Sequence, residues 1–183
     1  QERSSPWAHP EWHGARIQVF ISALNLHRAF IEDNAAQMQS NLGLAMYMLS
    51  GSVPNSDVRA VALESLALAC PVISTTFASA ASLFGEMKPG GIGWLLIDEA
   101  GQAPPQAAAG AIWRARRTVV VGDPLQLEPV VTLPRSVEAS LAAYHGDIGT
   151  QWLPTRASVQ NLADMTTQIG TQVGREGSKI WVG

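Results

Sequence analysis

Cysteine is almost absent from this chain: one residue, Cys70, in 183. No internal disulfide can form, and a lone thiol in an apolar run reads as reduced and buried in a cytoplasmic protein. Lysine is nearly as scarce, with only Lys88 and Lys179. Charged residues make up 15% of the chain and the net charge is −3, so no overall basic character advertises nucleic acid. No apolar run reaches the roughly 18 residues that a membrane helix needs, and no amino-terminal segment has the order of a signal peptide. What is abundant is apolar material, 46%, enough for a folded core and too much for disorder.

That material is organised around residues 94–131. Trp94-Leu95-Leu96-Ile97 runs into Asp98-Glu99, and Thr118-Val119-Val120-Val121 runs through Gly122 into Asp123. Continuous apolar runs of this length are the pattern of parallel strands buried on both faces. The connector carries Pro104 and Pro105, suited to a helix's first turn, and helical residues to Trp113. A strand, helix, strand unit predicts a right-handed crossover with its polar residues at the carboxyl ends of the strands, where open α/β sheets bind ligands. Arg114, Arg116 and Arg117 follow the helix as an electrostatic cap or a small basic edge, the cap being favoured.

The acidic strand ends suggest nucleotide hydrolysis. One carboxylate of Asp98 and Glu99 can hold hydrated Mg²⁺ while its neighbour polarises a water. Asp123 and Gln126 place a carboxylate and an amide where a γ-phosphate or its attacking water would lie. An isolated Asp-Glu pair is more often a solvated strand end; the joint pattern is what is specific. A nuclease using both carboxylates on one metal is disfavoured, because adjacent strand residues point to opposite faces.

Asp98-Glu99-Ala100-Gly101-Gln102 resembles the Asp-Glu-Ala-x-Gln form of Walker B, helicase motif II. Gly122-Asp123-Pro124-Leu125-Gln126-Leu127-Glu128-Pro129-Val130 resembles the Gly-Asp-x-x-Gln-Leu-x-Pro-Val form of motif III. Both forms belong to superfamily 1 helicases of the nonsense-mediated-decay and RecD-like group, and the likeness is strongest from about Val72 to Val131. The resemblance implies an α/β fold, a RecA-like P-loop NTPase sheet with flanking helices. It implies ATP and Mg²⁺ as cofactors, and single-stranded DNA or RNA and the remaining helicase domains as partners. Asp98 would bind Mg²⁺ and Glu99 would be the general base. Gln102, Asp123 and Gln126 would sense the γ-phosphate, with Gly122 beside the nucleotide. The family's nucleic-acid motif after the preceding strand falls on Ser74, Thr75 and Thr76, with Phe77 to stack on a base; helix capping and core packing are the competing readings of the same residues.

No Gly-x-x-x-x-Gly-Lys-Ser/Thr loop occurs in these 183 residues. The glycine-rich Lys88–Gly93 stretch leads into a strand and reads as a tight turn. The sequence therefore predicts an incomplete domain, a piece of a larger motor that does not itself hydrolyse ATP. A non-catalytic helicase-fold scaffold is the alternative.

Around this centre, residues 1–12 read as an extended lead-in, 13–178 as part of a first RecA-like domain, and 179–183 as the strand that opens whatever follows. His9 and His13 lack zinc-protease spacing, and Pro10 argues against one helix through both. Ile17, Phe20, Ile21, Leu24, Ile31, Ala35, Met38 and Leu42 predict one apolar helix face, interrupted near Gly43. Asp57 is expected to cap a helix to Ala69 with Val58, Val61, Leu66 and Ala69 inward, and Val72–Phe77 to form a strand before a short helix to Phe84. Later helices are expected over 133–144, with Val137, Leu141 and Tyr144 on the apolar side, and over 158–169, with Val159, Leu162, Ala163 and Met165.

Overall fold

The computed structural model describes residues 9–51, 56–123, 129–146, 149, 152–173 and 180–182. The chain divides into two compact units, residues 1–74 and 75–183.

The first unit is helical: α1 (Pro10–Asp33), α2 (Ala35–Leu49) and α3 (Ser56–Ala69). Pro10 stands at the start of α1 after the extended His9, where its missing N–H is no loss, so the helix begins before residue 13. The predicted break at Gly43 falls instead at Asn34, whose N–H and Nδ2 both return to the Phe30 carbonyl. The apolar stripe is buried only in part. Met38, Ala45 and Met48 of α2 are buried, whereas α1 buries nothing and leaves Ile17, Phe20, Ile21 and Leu24 exposed. On α3 the buried residues are Ala62 and Leu63, with Val61 and Ala69 outside, because the helix turns that face to α2. Asn41 Nδ2 donates to Ser65 Oγ at 2.9 Å across the pair. Cys70 is exposed, not buried, since it lies just past the end of α3.

Residues 72–76 form no strand: no neighbour among the described residues supplies the ladder that would satisfy their backbone. The second unit then contains α4 (Phe77–Phe84), β1 (Leu95–Ile97), α5 (Pro105–Arg114), β2 (Thr118–Val120), α6 (Arg135–Tyr144), α7 (Val159–Thr166), β3 (Thr171–Val173) and β4 (Ile180–Val182). β1 and β2 are parallel, with Leu95, Leu96 and Ile97 opposite Thr118, Val119 and Val120. The predicted crossover through a helix is present. Burial on both faces is not. Ile97 sits in a core with Ala100, Ala103, Ala108 and Val159, against which Phe77, Leu95 and Val120 pack. Leu96, Trp94 and Val121 are exposed, so within this unit the helices cover one face of the sheet.

Lys88–Gly93 is the expected turn: Gly91 N–H reaches the Lys88 carbonyl at 2.9 Å and Gly90 has φ +75°. The expected arginine cap is met only in part: Arg114 donates to the Gly110 carbonyl of its own helix but also to the carbonyls of Gly85 and Met87 after α4, while Arg116 donates to the Gly90 carbonyl and Arg117 lies over the Trp94 ring. The two later helices bury different residues from those expected. On α6 Glu138 is buried while Val137, Leu141 and Tyr144 are exposed, because Thr155 supplies two donors to the Glu138 carboxylate. On α7 Gln160 and Asp164 are buried with Val159, and Met165 is exposed. β4 pairs antiparallel with β3, so residues 180–182 close back on the strand before them.

Candidate nucleotide site at the strand ends

The ladder between β1 and β2 continues beyond the strands. Val121 N–H donates to the Ile97 carbonyl at 2.8 Å, and Ala100 N–H returns to the Val121 carbonyl at 3.0 Å. This pairing carries the Asp98–Gln102 turn and the Gly122–Asp123 turn to the same end of the sheet. Asp98, Glu99, Gln102 and Asp123 are all exposed there.

Within the first turn, Asp98 Oδ1 accepts the Glu99 N–H at 3.0 Å. Glu99 has φ +53°, and among the described residues it is the one non-glycine in the left-handed region. Its side chain is met by Gln102, whose Nε2 lies 3.3 Å from Glu99 Oε2. The turn is closed by Gln102 N–H to the Glu99 carbonyl and Ala103 N–H to the Ala100 carbonyl. The two carboxylates are therefore held differently, Asp98 by the N–H of the next residue and Glu99, on a left-handed backbone, by the Gln102 amide.

The turns touch through their glycines. A Cβ on Gly122 would lie 3.0 Å from Gly101 N and 3.1 Å from Ala100 N, and one on Gly101 would lie 3.2 Å from the Asp123 carbonyl. Residue 122 must be glycine for this approach, which gives it a packing reason besides any ligand.

A third element joins them. The first N–H groups of a helix have no partner within it. In α7, Val159 N–H donates to the Ala103 carbonyl at 2.9 Å and Gln160 N–H to the Ala100 carbonyl at 3.2 Å. Ser158 caps the same helix by accepting from Asn161 N–H. Gln160 and Asp164 are residues that sequence reasoning missed; the signal for them was a Gln and an Asp four apart, the spacing that meets on one helix face.

Gln126 lies outside the described residues. Ser74, at the end of the first unit, is exposed, as are Thr75 and Thr76. Thr76 is the N-cap residue of α4 without a side-chain cap bond, its Oγ1 lying 3.4 Å from Ser79 Oγ. Phe77 packs on the Ile97 core, in line with the competing reading.

Chemically, the strand end offers an exposed carboxylate with one oxygen already engaged, a second carboxylate on a strained residue, and a carboxamide beside it. One carboxylate with room for water is the donor set that Mg²⁺ takes when phosphate supplies the rest, so Asp98 fits that ion. No group of three or more metal-binding side chains occurs among the described residues, and among them no helix is long and apolar enough to cross a membrane.

Comparison with known proteins gives one match. No curated protein and no solved structure matches the chain. A family model described as an AAA domain matches residues 26–133, more than half of the chain, including both turns that carry the acidic residues. By that match and the geometry around Asp98 and Asp123, the chain belongs to the AAA domain family, in a helicase-like, nucleotide-binding form.

Proposed function

We propose that this chain carries the Walker B and motif III part of the ATP site of a superfamily 1 helicase or translocase of the nonsense-mediated-decay and RecD-like group. The observation that carries the reading is the meeting of the Asp98–Gln102 and Gly122–Asp123 turns at one end of a parallel pair, with Glu99 in a left-handed conformation. Strained non-glycine residues cluster at working sites, where the surroundings hold them for a purpose.

In this reading Asp98 would hold Mg²⁺ through water, and the charge neutralisation at the phosphates would be what that ion supplies. Glu99 takes a proton from the attacking water, and the Gln102 amide, 3.3 Å from its carboxylate, sets its direction. Asp123 and Gln126 would sense the γ-phosphate, with Gly122 beside the nucleotide. Exposed Ser74, Thr75 and Thr76 are the hydroxyls for a nucleic-acid backbone. Phe77 is accounted for by the core it touches. These 183 residues hold no Gly-x-x-x-x-Gly-Lys-Ser/Thr loop, so by themselves they are expected to give no ATP turnover.

The test is ATP hydrolysis by the longer protein, with and without single-stranded DNA or RNA, native against Glu99→Gln. Strand-stimulated turnover that the substitution removes supports the motor. A native protein without turnover that still binds nucleic acid or a partner protein tightly would replace it with a non-catalytic scaffold.

A further inference from the structure

We infer that Gln160 is a positioning residue of the nucleotide site, clamping the Asp98–Gln102 turn against the Gly122–Asp123 turn. The inference rests on the nucleotide reading above and extends it to α7, which lies beyond the stretch matched to the family.

Three observations converge on this residue. Its backbone N–H is bonded to the Ala100 carbonyl, inside the first turn. Its side-chain Oε1 lies 2.9 Å from the place where a Cβ of Gly122 would stand, inside the second. That same place is 3.0 Å from Gly101 N and 3.1 Å from Ala100 N, so both turns and the amide meet around one point. Gln160 is only 6% exposed, and its Oε1 has no hydrogen-bond partner among the described residues.

The amide cannot simply turn over to find one. Nε2 donates to Asp164 Oδ1 at 3.0 Å, and a carboxylate accepts, so the nitrogen must face Asp164 and the oxygen must face the turns. Asp164 is itself 6% exposed and fixed one helical turn along. The arrangement is a directed acceptor, oriented by a buried acid and aimed at the junction of the two acidic turns. Native folds rarely leave a buried carbonyl without a donor, and such local sacrifices collect at functional sites. The Gly101 N–H stands 3.0 Å from the meeting point, two residues from Glu99. Gln160 thus acts on the spacing of the two turns through its backbone bond to Ala100 and the packing of its carboxamide against Gly122, without touching substrate.

The experiment compares the native chain with Gln160→Met, which keeps length and removes the amide, and with Asp164→Asn, which frees the amide to rotate. Backbone hydrogen exchange is followed residue by residue. The expected result for Gln160→Met is roughly tenfold faster exchange at Ala100 and Gly101, with α2 and α3 unchanged. Asp164→Asn should move the same amides less, and it carries the test if Gln160→Met does not fold. Unchanged exchange at these amides, or acceleration spread evenly over residues 75–173, overturns the clamp.

In the longer ATP-hydrolysing protein, Gln160→Met should lower kcat by about tenfold, the low end for groups that orient others, with KM for ATP within about twofold. Native turnover that Glu99→Gln removes but Gln160→Met leaves intact overturns this inference and spares the nucleotide reading. Absence of native turnover overturns the nucleotide reading, and the clamp is then judged on exchange alone.

Discussion

Gly122 faces Gly101 so closely that a β-carbon on the former would stand 3.0 Å from the backbone nitrogen of the latter. The same carbon would press on Ala100 N at 3.1 Å and on the Gln160 carboxamide at 2.9 Å. Two of these neighbours are backbone and cannot swing aside. Gly122→Ala should therefore destabilise the chain by about 1–3 kcal/mol, the usual range for overpacking, seen as a lower thermal midpoint. Gly93, where a Cβ meets nothing within 4 Å, is the control. Equal midpoints for Gly122→Ala and Gly93→Ala would refute the close approach.

Glu99 should behave in the opposite way. A non-glycine residue held at φ +53° carries strain of about 1–2 kcal/mol that glycine does not. Glu99→Gly is expected to raise the denaturant midpoint, and Glu99→Gln, which keeps the strain, to leave it unchanged. Truncation to glycine also removes the hydrogen bond from Gln102, but that bond is exposed and long at 3.3 Å, so it offsets little. A Glu99→Gly variant destabilised by more than the roughly 0.5–1 kcal/mol that glycine's freedom in the unfolded chain costs would mean that the conformation is not strained.

The acidic turns were legible in the sequence because their signal is local: an apolar run ends, and carboxylates and a glycine follow at once. Asp98, Glu99, Gln102 and Asp123 fall together at the strand ends for that reason. The helices were legible as helices and less so as faces. Periodicity marks a stripe on α1 from Ile17 to Leu24 but does not say what covers it, and all four marked residues there are exposed. On α6 the periodicity points the wrong way, because Thr155, distant in sequence, makes burial of Glu138 cheaper than burial of Leu141. The Gln160–Asp164 spacing marks a pair on one helix face, but not what covers it: the burial of Gln160 depends on the Ala100 carbonyl and on Gly122, both distant in sequence.

Gly43, in the interior of α2, is exposed with nothing within 4 Å of its missing Cβ, and it marks no break in the helix. Gly43→Ala should stabilise the first unit by about 0.5–1 kcal/mol, through a smaller entropy loss on folding. Circular dichroism melts would record a rise of a few degrees; a fall would show that the helix does not run through this position.

Glu138 supplies the last prediction. The residue is 5% exposed, and its carboxylate accepts from Thr155 N–H at 2.9 Å and from the Thr155 hydroxyl, whose Oγ1 lies 2.9 and 2.8 Å from its two oxygens. Thr155→Val keeps the shape and the backbone donor but removes the hydroxyl, leaving a buried carboxylate short of a partner. That should cost about 1–3 kcal/mol. Glu138→Leu in the Thr155→Val background removes the needy group as well, so the double variant should be less destabilised than the two single changes summed. A double-mutant cycle by urea denaturation measures the difference, expected at about 0.5–3 kcal/mol for groups in direct contact. Strict additivity would mean that the hydroxyl and the carboxylate do not depend on each other, and that Glu138 is held inside by packing alone.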